Sequence, residues 1–134
     1  MSTNTIREIE HTADRAFSVC GRDLYELFEN AARALFETQQ SPSSCVHTFH
    51  EFKVEGMDRE TLLVNWLNEL LYQQERCEET FENCSVLDIS EWTMHATVSG
   101  RSGVEHNPVK AVTFHNLRIQ PAEHGFQTTF VVDV

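Results

Sequence analysis

Apolar residues recur in steps of three and four at Leu24, Leu27, Phe28, Ala31 and Leu35. That spacing lays one continuous stripe along a helix, and it predicts a helix over Arg22 to Glu37. Asp23 and Glu26 near its start suit the positive end of the helix dipole. The stretch Gln40-Ser41-Pro42-Ser43-Ser44 predicts a loop that ends it. A second and broader stripe runs through Leu62, Leu63, Trp66, Leu67, Leu70 and Leu71. It follows Gly56-Met57-Asp58, so Asp58 is the expected N-cap of a central core helix. Elsewhere the period is two. Trp92, Met94, Ala96 and Val98 alternate with Thr93, His95, Thr97 and Ser99, the pattern of a half-buried strand. Phe126, Thr128, Phe130, Val132 and Val134 share one face of a final strand, and Asp133 lies on the other face with Gln127, Thr129 and Val131. Further strands are expected at Ile6 to Glu10, Ala16 to Cys20, Val46 to Glu55 and Val109 to Ile119. Glu75 to Asn83 reads as a polar, acid-rich connection, Gly103 to Pro108 as a loop and Pro121 to Gly125 as a turn. The order predicts an α+β fold over residues 1–134, a single domain with two main helices packed on a mostly antiparallel sheet.

Charge narrows the function classes. Against 10 Lys and Arg stand 21 Asp and Glu, a formal net charge of −11. Such a surface repels phosphate backbones, whose neutralisation by Lys and Arg supplies most non-specific nucleic-acid affinity. The basic residues are scattered rather than gathered in a stripe, so direct nucleic-acid binding is not expected. Any role in RNA metabolism then runs through a protein partner or a cation. No run approaches the roughly 20 apolar residues needed to cross a bilayer. The N-terminus lacks the basic start and apolar stretch of a secretory signal. No membrane association and a cytoplasmic location are therefore expected.

The four cysteines, Cys20, Cys45, Cys77 and Cys84, show no zinc-type spacing and read as reduced and mostly structural. The histidines form no H-x-H or H-E-x-x-H motif, and the one H-x-x-H, His47 to His50, lies in an expected strand with no cysteine pair or further histidine at ligand spacing, so spacing gives little support for a transition-metal site. There is also no nucleophile elbow, no Walker glycine loop and no Rossmann glycine pattern. An enzyme is not expected.

Three features carry possible chemistry, each beside a plainer reading. Glu10-His11-Thr12-Ala13-Asp14 is either an ordinary polar turn or the source of an Asp14 oxygen ligand for a hard cation such as calcium. Asp133-Val134 is either a fraying end or, if pinned in a sheet, a pair of fixed anionic groups. Asp14, Asp133 and the Val134 carboxylate would repel one another strongly unless a cation lay between them. Lys110, in Val109-Lys110-Ala111-Val112-Thr113, is either an edge lysine facing solvent or a cation beside those carboxylates or at a partner surface.

These residues resemble the archease family, and the likeness spans nearly the whole chain. Its anchors are EHTAD at Glu10 to Asp14, GRDLYELFENAARALF at Gly21 to Phe36, LLVNWLNELLY at Leu62 to Tyr72, VKAVTFHNL at Val109 to Leu117, and the terminal Val131-Val132-Asp133-Val134. The resemblance implies that Asp14, Asp133 and Val134 hold a metal, calcium in the usual description, and that Lys110 is needed for activation of a partner. It also implies the partner, an RtcB-type RNA ligase of tRNA splicing and RNA repair, which the accessory protein helps to become guanylylated and to turn over. The alternative at family level is a chaperone that modulates a tRNA cytosine methyltransferase. The chain departs from the family pattern in placing Arg15-Ala16 after HTAD, where a small apolar pair is common. It is also shorter before VKAVT, over Gly100 to Pro108.

Overall fold

The computed structural model describes residues 6–10, 15–114 and 116–134, with the backbone alone at 7–10. The elements in chain order are β1 (Ile6–Glu10), β2 (Arg15–Gly21), α1 (Leu24–Phe36), β3 (His47–Glu55) and α2 (Arg59–Cys77). They continue with β4 (Glu79–Ile89), β5 (Thr93–Ser102), β6 (Ala111–Thr113), β7 (Gln120–Ala122) and β8 (Gly125–Asp133). The described strands pair antiparallel throughout, as expected, but in two sheets rather than one. A five-stranded sheet has the order β1-β2-β8-β6, with β7 also on β8, and a three-stranded sheet has the order β3-β5-β4. The smaller sheet and α2 come from one contiguous stretch, residues 47–102, while the larger sheet is assembled from the flanks on either side of it.

Both helices touch strands of both sheets, which is why the core forms one cluster rather than two. The α1 stripe predicted from spacing is buried at Leu27, Phe28, Ala31 and Leu35, each worth about 1.5–3 kcal/mol for the larger side chains. Its N-cap is Asp23, so the helix begins two residues later than the sequence suggests. Asp23 Oδ1 accepts from the Glu26 N–H at 2.9 Å, and the Glu26 carboxylate accepts from the Arg22 N–H at 2.9 Å. Two otherwise orphaned helix-start donors are thereby satisfied. Asp58 caps α2 as expected, accepting from the Thr61 N–H at 2.7 Å. Fully buried Trp66 donates its indole N–H to the Phe28 carbonyl at 3.1 Å and ties α2 to α1.

Three sequence expectations change. The stretch Glu75 to Asn83 is no connection, because α2 continues to Cys77 and β4 starts at Glu79. A single residue makes the reversal, Glu78, held left-handed at φ 56° and ψ 52°. The period of β4 is concealed by register shifts between Phe81 and Asn83 and between Val86 and Asp88. Side chains of both helices and of the residue Gln39 just beyond α1 serve the backbone groups at these irregularities. Gln74 Oε1 accepts from the Phe81 N–H at 2.7 Å, the Gln39 amide donates to the Phe81 carbonyl at 3.2 Å, and Glu29 accepts from the Val86 N–H at 2.8 Å.

The expected strand Val109 to Ile119 contracts to the three residues of β6. The turn expected over Pro121 to Gly125 contracts to Glu123 and His124, because Gln120, Pro121 and Ala122 pair with Gln127, Phe126 and Gly125. Gly125 sits at φ 146°, and a Cβ there would fall 2.1 Å from the Gly21 carbonyl oxygen, so the hairpin packs on β2 only with glycine at this place.

Candidate functional site

The last strand, β8, lies between β2 and β6, and this fixes one end of the larger sheet. Arg15 on β2 and Val112 on β6 both face Val132, and Ala111 faces Asp133. The Lys110 N–H donates to the Asp133 carbonyl at 2.8 Å, extending the ladder by one residue beyond β6. Strand pattern therefore runs to the penultimate residue, which separates this end from an ordinary fraying terminus. The short β6 is held from its other side by Asn68 of α2. The Asn68 amide donates to the Val112 carbonyl at 2.9 Å, and its oxygen accepts from the Val112 N–H at 2.8 Å. One side chain thus does for Val112 what a neighbouring strand would do. Nothing in the sequence points to this role, because Asn68 stands beside the apolar stripe of α2 among other polar positions, Asn65 and Glu69, and its partner is 44 residues away.

Asp133 is exposed, on the strand face opposite buried Val132. Among the described residues no side chain hydrogen-bonds or pairs with its carboxylate. Val134 follows at 41% exposure. Asp14, the third expected ligand, lies outside the described residues; its successor Arg15 stands opposite Val132. Arg15 carries its guanidinium 5.8 Å above the Phe17 ring, on the face that Phe17 shares with buried Phe130. By register, that is the opposite face from Asp133. The donors available here are Asp133 and Val134 oxygens, and oxygen donors suit a hard cation such as calcium, which takes six to eight of them.

Lys110 is exposed, as the edge reading expected, but it also lines a cleft of about 650 Å³ between α2, the Glu78 turn and the loop before β6. Asn68, Tyr72, Glu75, Glu79 and Val109 share that lining. Lys110 is the one basic residue among the described residues around it. Its backbone faces the chain end, and its side chain belongs to the acidic cleft. No helix among the described residues is long and apolar enough to cross a membrane.

Comparison with known proteins follows the same residues. Residues 7–134 match the archease protein family. The archease of Methanosarcina acetivorans is 36% identical over 136 residues, covering 94% of this chain and 93% of its own. That of Sulfurisphaera tokodaii is 35% identical over 135 residues, covering 93% and 95%. The solution structure of Methanobacterium thermoautotrophicum protein 1598 superposes with a TM-score of 0.66 at 29% identity, over 98% of this chain and 100% of that one. A crystal structure from Thermotoga maritima, described as an archease and possible chaperone, has the same fold with a TM-score of 0.69 at 21% identity, over 96% of each chain. With the family matched from the first described strand to the last residue and the fold reproduced in its solved relatives, this chain belongs to the archease family.

Proposed function

We propose that the chain is a non-catalytic accessory protein that activates an RtcB-type RNA ligase, promoting its guanylylation and turnover. Its working end is a hard-cation site formed by Asp14, Asp133 and the Val134 terminus, with calcium the expected ion. Lys110 beside it acts on the partner. The single observation that carries this reading is the pinning of the chain end between β2 and β6, with the Lys110 N–H on the Asp133 carbonyl. It sets Lys110, Asp133 and the residue after Asp14 within neighbouring rungs of one ladder. When bound, the cation would neutralise mutually repelling carboxylates and hold them in one arrangement. The residues' own part is to supply fixed oxygens, with the Lys110 side chain in the adjoining acidic cleft, on a chain with a formal charge of −11. That surface favours a basic, RNA-handling partner over RNA itself.

The test is ligase guanylylation measured with and without this protein. The wild type is expected to stimulate, and Asp133→Ala and Lys110→Ala to lose about tenfold or more of the stimulation while keeping the native circular dichroism. Stimulation that is absent in the wild type, or unchanged in both variants, overturns the reading. The competing reading, a chaperone for a tRNA cytosine methyltransferase, draws support from the description of the Thermotoga protein as a possible chaperone. Recovery of such a methyltransferase and no ligase in a pull-down would favour it.

A further inference from the structure

A second cluster of donors lies away from the chain end and mixes nitrogen, sulfur and oxygen. His50 of β3, Cys77 at the last turn of α2 and Glu79 at the start of β4 place their ligand atoms within 4.8 Å of one another, all half-buried. No sequence motif announces them, because they come from three elements. Their meeting has a structural cause. By register, His50 faces Val98 and Glu79 faces Ser102 on β5, four residues apart, with Gly100 as the one position between them on the same face of the sheet. Gly100 has no side chain to fill that gap. A Cβ there would fall 2.1 Å from the Thr80 carbonyl oxygen and 2.8 Å from Phe81 Cα. β4 therefore closes over the glycine, and the His50 ring reaches Glu79 with Nε2 2.7 Å from Oε1.

The ring is also held on its flanks, stacked on Phe52 at 5.6 Å between centroids and tilted against Phe81 at 5.8 Å. Cys77 and Glu79 are brought to the same place by the left-handed Glu78 between them. A non-glycine residue in that region costs about 1 kcal/mol or more. The turn is fixed by the Gly103 N–H donating to the Glu78 carbonyl at 2.7 Å and by Thr80 Oγ1 donating to the Gly103 carbonyl at 2.8 Å.

We infer that His50, Cys77 and Glu79 form a binding site for a single borderline-soft transition-metal ion of the zinc class. The donor set is the argument. Imidazole and thiolate select zinc over calcium or magnesium, and a carboxylate completes a three-ligand set that leaves one tetrahedral position for water. Bond lengths of about 2.0–2.3 Å place tetrahedral ligands roughly 3.5 Å apart. From 2.7 Å the His50–Glu79 contact must open by a little under an ångström, and the sulfur must close in by up to about an ångström, changes within reach of side-chain rotation. Ligation needs the neutral His50 ring with its proton on Nδ1 so that Nε2 is free, and the Cys77 thiol gives up its proton to solvent as the sulfur binds. The ion would cross-link the end of α2 to both edge strands of the smaller sheet. Glu79 also lines the cleft that holds Lys110, so the ion would sit at its wall. This inference is independent of the proposed cation site at Asp133.

The test titrates the full chain, purified without a histidine tag, with cobalt(II) as a spectroscopic stand-in, followed by zinc. The expected result is one equivalent of tetrahedral cobalt with a sulfur-to-cobalt charge-transfer band, displaced by zinc. In Cys77→Ser the band should vanish, and in His50→Gln and Glu79→Gln the affinity should fall about tenfold or more, with circular dichroism unchanged. The other three cysteines are the internal control. No tetrahedral spectrum in the wild type, or a charge-transfer band that survives Cys77→Ser, overturns the inference. Should Cys77→Ser fail to fold, undiminished cobalt affinity in both His50→Gln and Glu79→Gln overturns it as well.

Discussion

Asp58 illustrates how one carboxylate couples helix structure to pH. Its oxygen accepts from the Thr61 N–H, and hydrogen bonds from the Thr61 backbone and side chain hold the carboxyl below its usual value. Glu26 is lowered in the same direction, first by the Arg22 backbone N–H and then by the Arg22 side chain. A depressed folded value means that the stabilisation is complete above the unfolded values of about 3.9 for Asp and 4.3 for Glu, and is lost as pH falls through the folded ones. Asp58→Ala should cost about 1 kcal/mol at neutral pH. Asp58→Asn keeps the cap oxygen but has no charge to titrate, so its urea midpoint should fall less than the wild type's between about pH 6 and pH 3. Parallel acid limbs for the two proteins would show that the cap charge contributes nothing to acid lability. The cysteines divide at the same scale. Burial, reinforced by the Glu29 carboxylate, pushes the Cys84 thiol up to about 12, which keeps it protonated and chemically quiet, as the structural reading of the cysteines supposed.

At the scale of elements, helix amides and carboxylates complete strands that cannot complete themselves. Asn68 is the clearest case, since both its amide groups are committed to the backbone of Val112. Asn68→Ala leaves a partly buried N–H and C=O unmet, each at about 1–3 kcal/mol. A loss of roughly 2 kcal/mol or more in chemical denaturation is therefore expected, together with faster amide exchange at Ala111 to Thr113. A loss under about 0.5 kcal/mol would mean that water replaces the amide without cost. This kind of support also marks what the sequence could reveal. Periodic elements such as α1, α2, β5 and β8 were legible because one face of each is buried along its length. β4 was not, because two register shifts break its alternation and its supports come from other elements, Gln39 and Glu29 far away in sequence and Gln74 on the preceding helix. β6 was overextended because buried Val109 and Leu117 lie outside its three paired residues and owe their burial to loop packing, not strand pairing. The candidate residues divide likewise. Lys110 and Asp133 stood out as charges within strand pattern, whereas His50, Cys77 and Glu79 meet only through the glycine gap on β5.

For the molecule as a whole, the larger sheet matters most, because β8 pairs with β2, β6 and β7 together. The proposed hard-cation site draws on this junction, so ion binding should favour the folded state by mass action. Calcium is expected to raise the melting temperature of the wild type. A tag joined after Val134 moves the terminal carboxylate and should diminish that rise; an equal shift in tagged and untagged protein would remove Val134 from the ligand set. The architecture also orders how the chain comes together. Gly21 pairs with Phe126, about a hundred residues further on, and closing a loop of that length costs about 4 kcal/mol of chain entropy beyond a constant. The unit formed by residues 47–102 lies wholly inside that loop, and its longest strand pairing, His47 opposite Arg101, spans about half that length. Once formed, it acts as a clasp that roughly halves the free length still to be closed, a gain of about 0.6 kcal/mol. The local unit can therefore assemble early, and the joining of the two flanks becomes the late event on which everything at the chain end must wait.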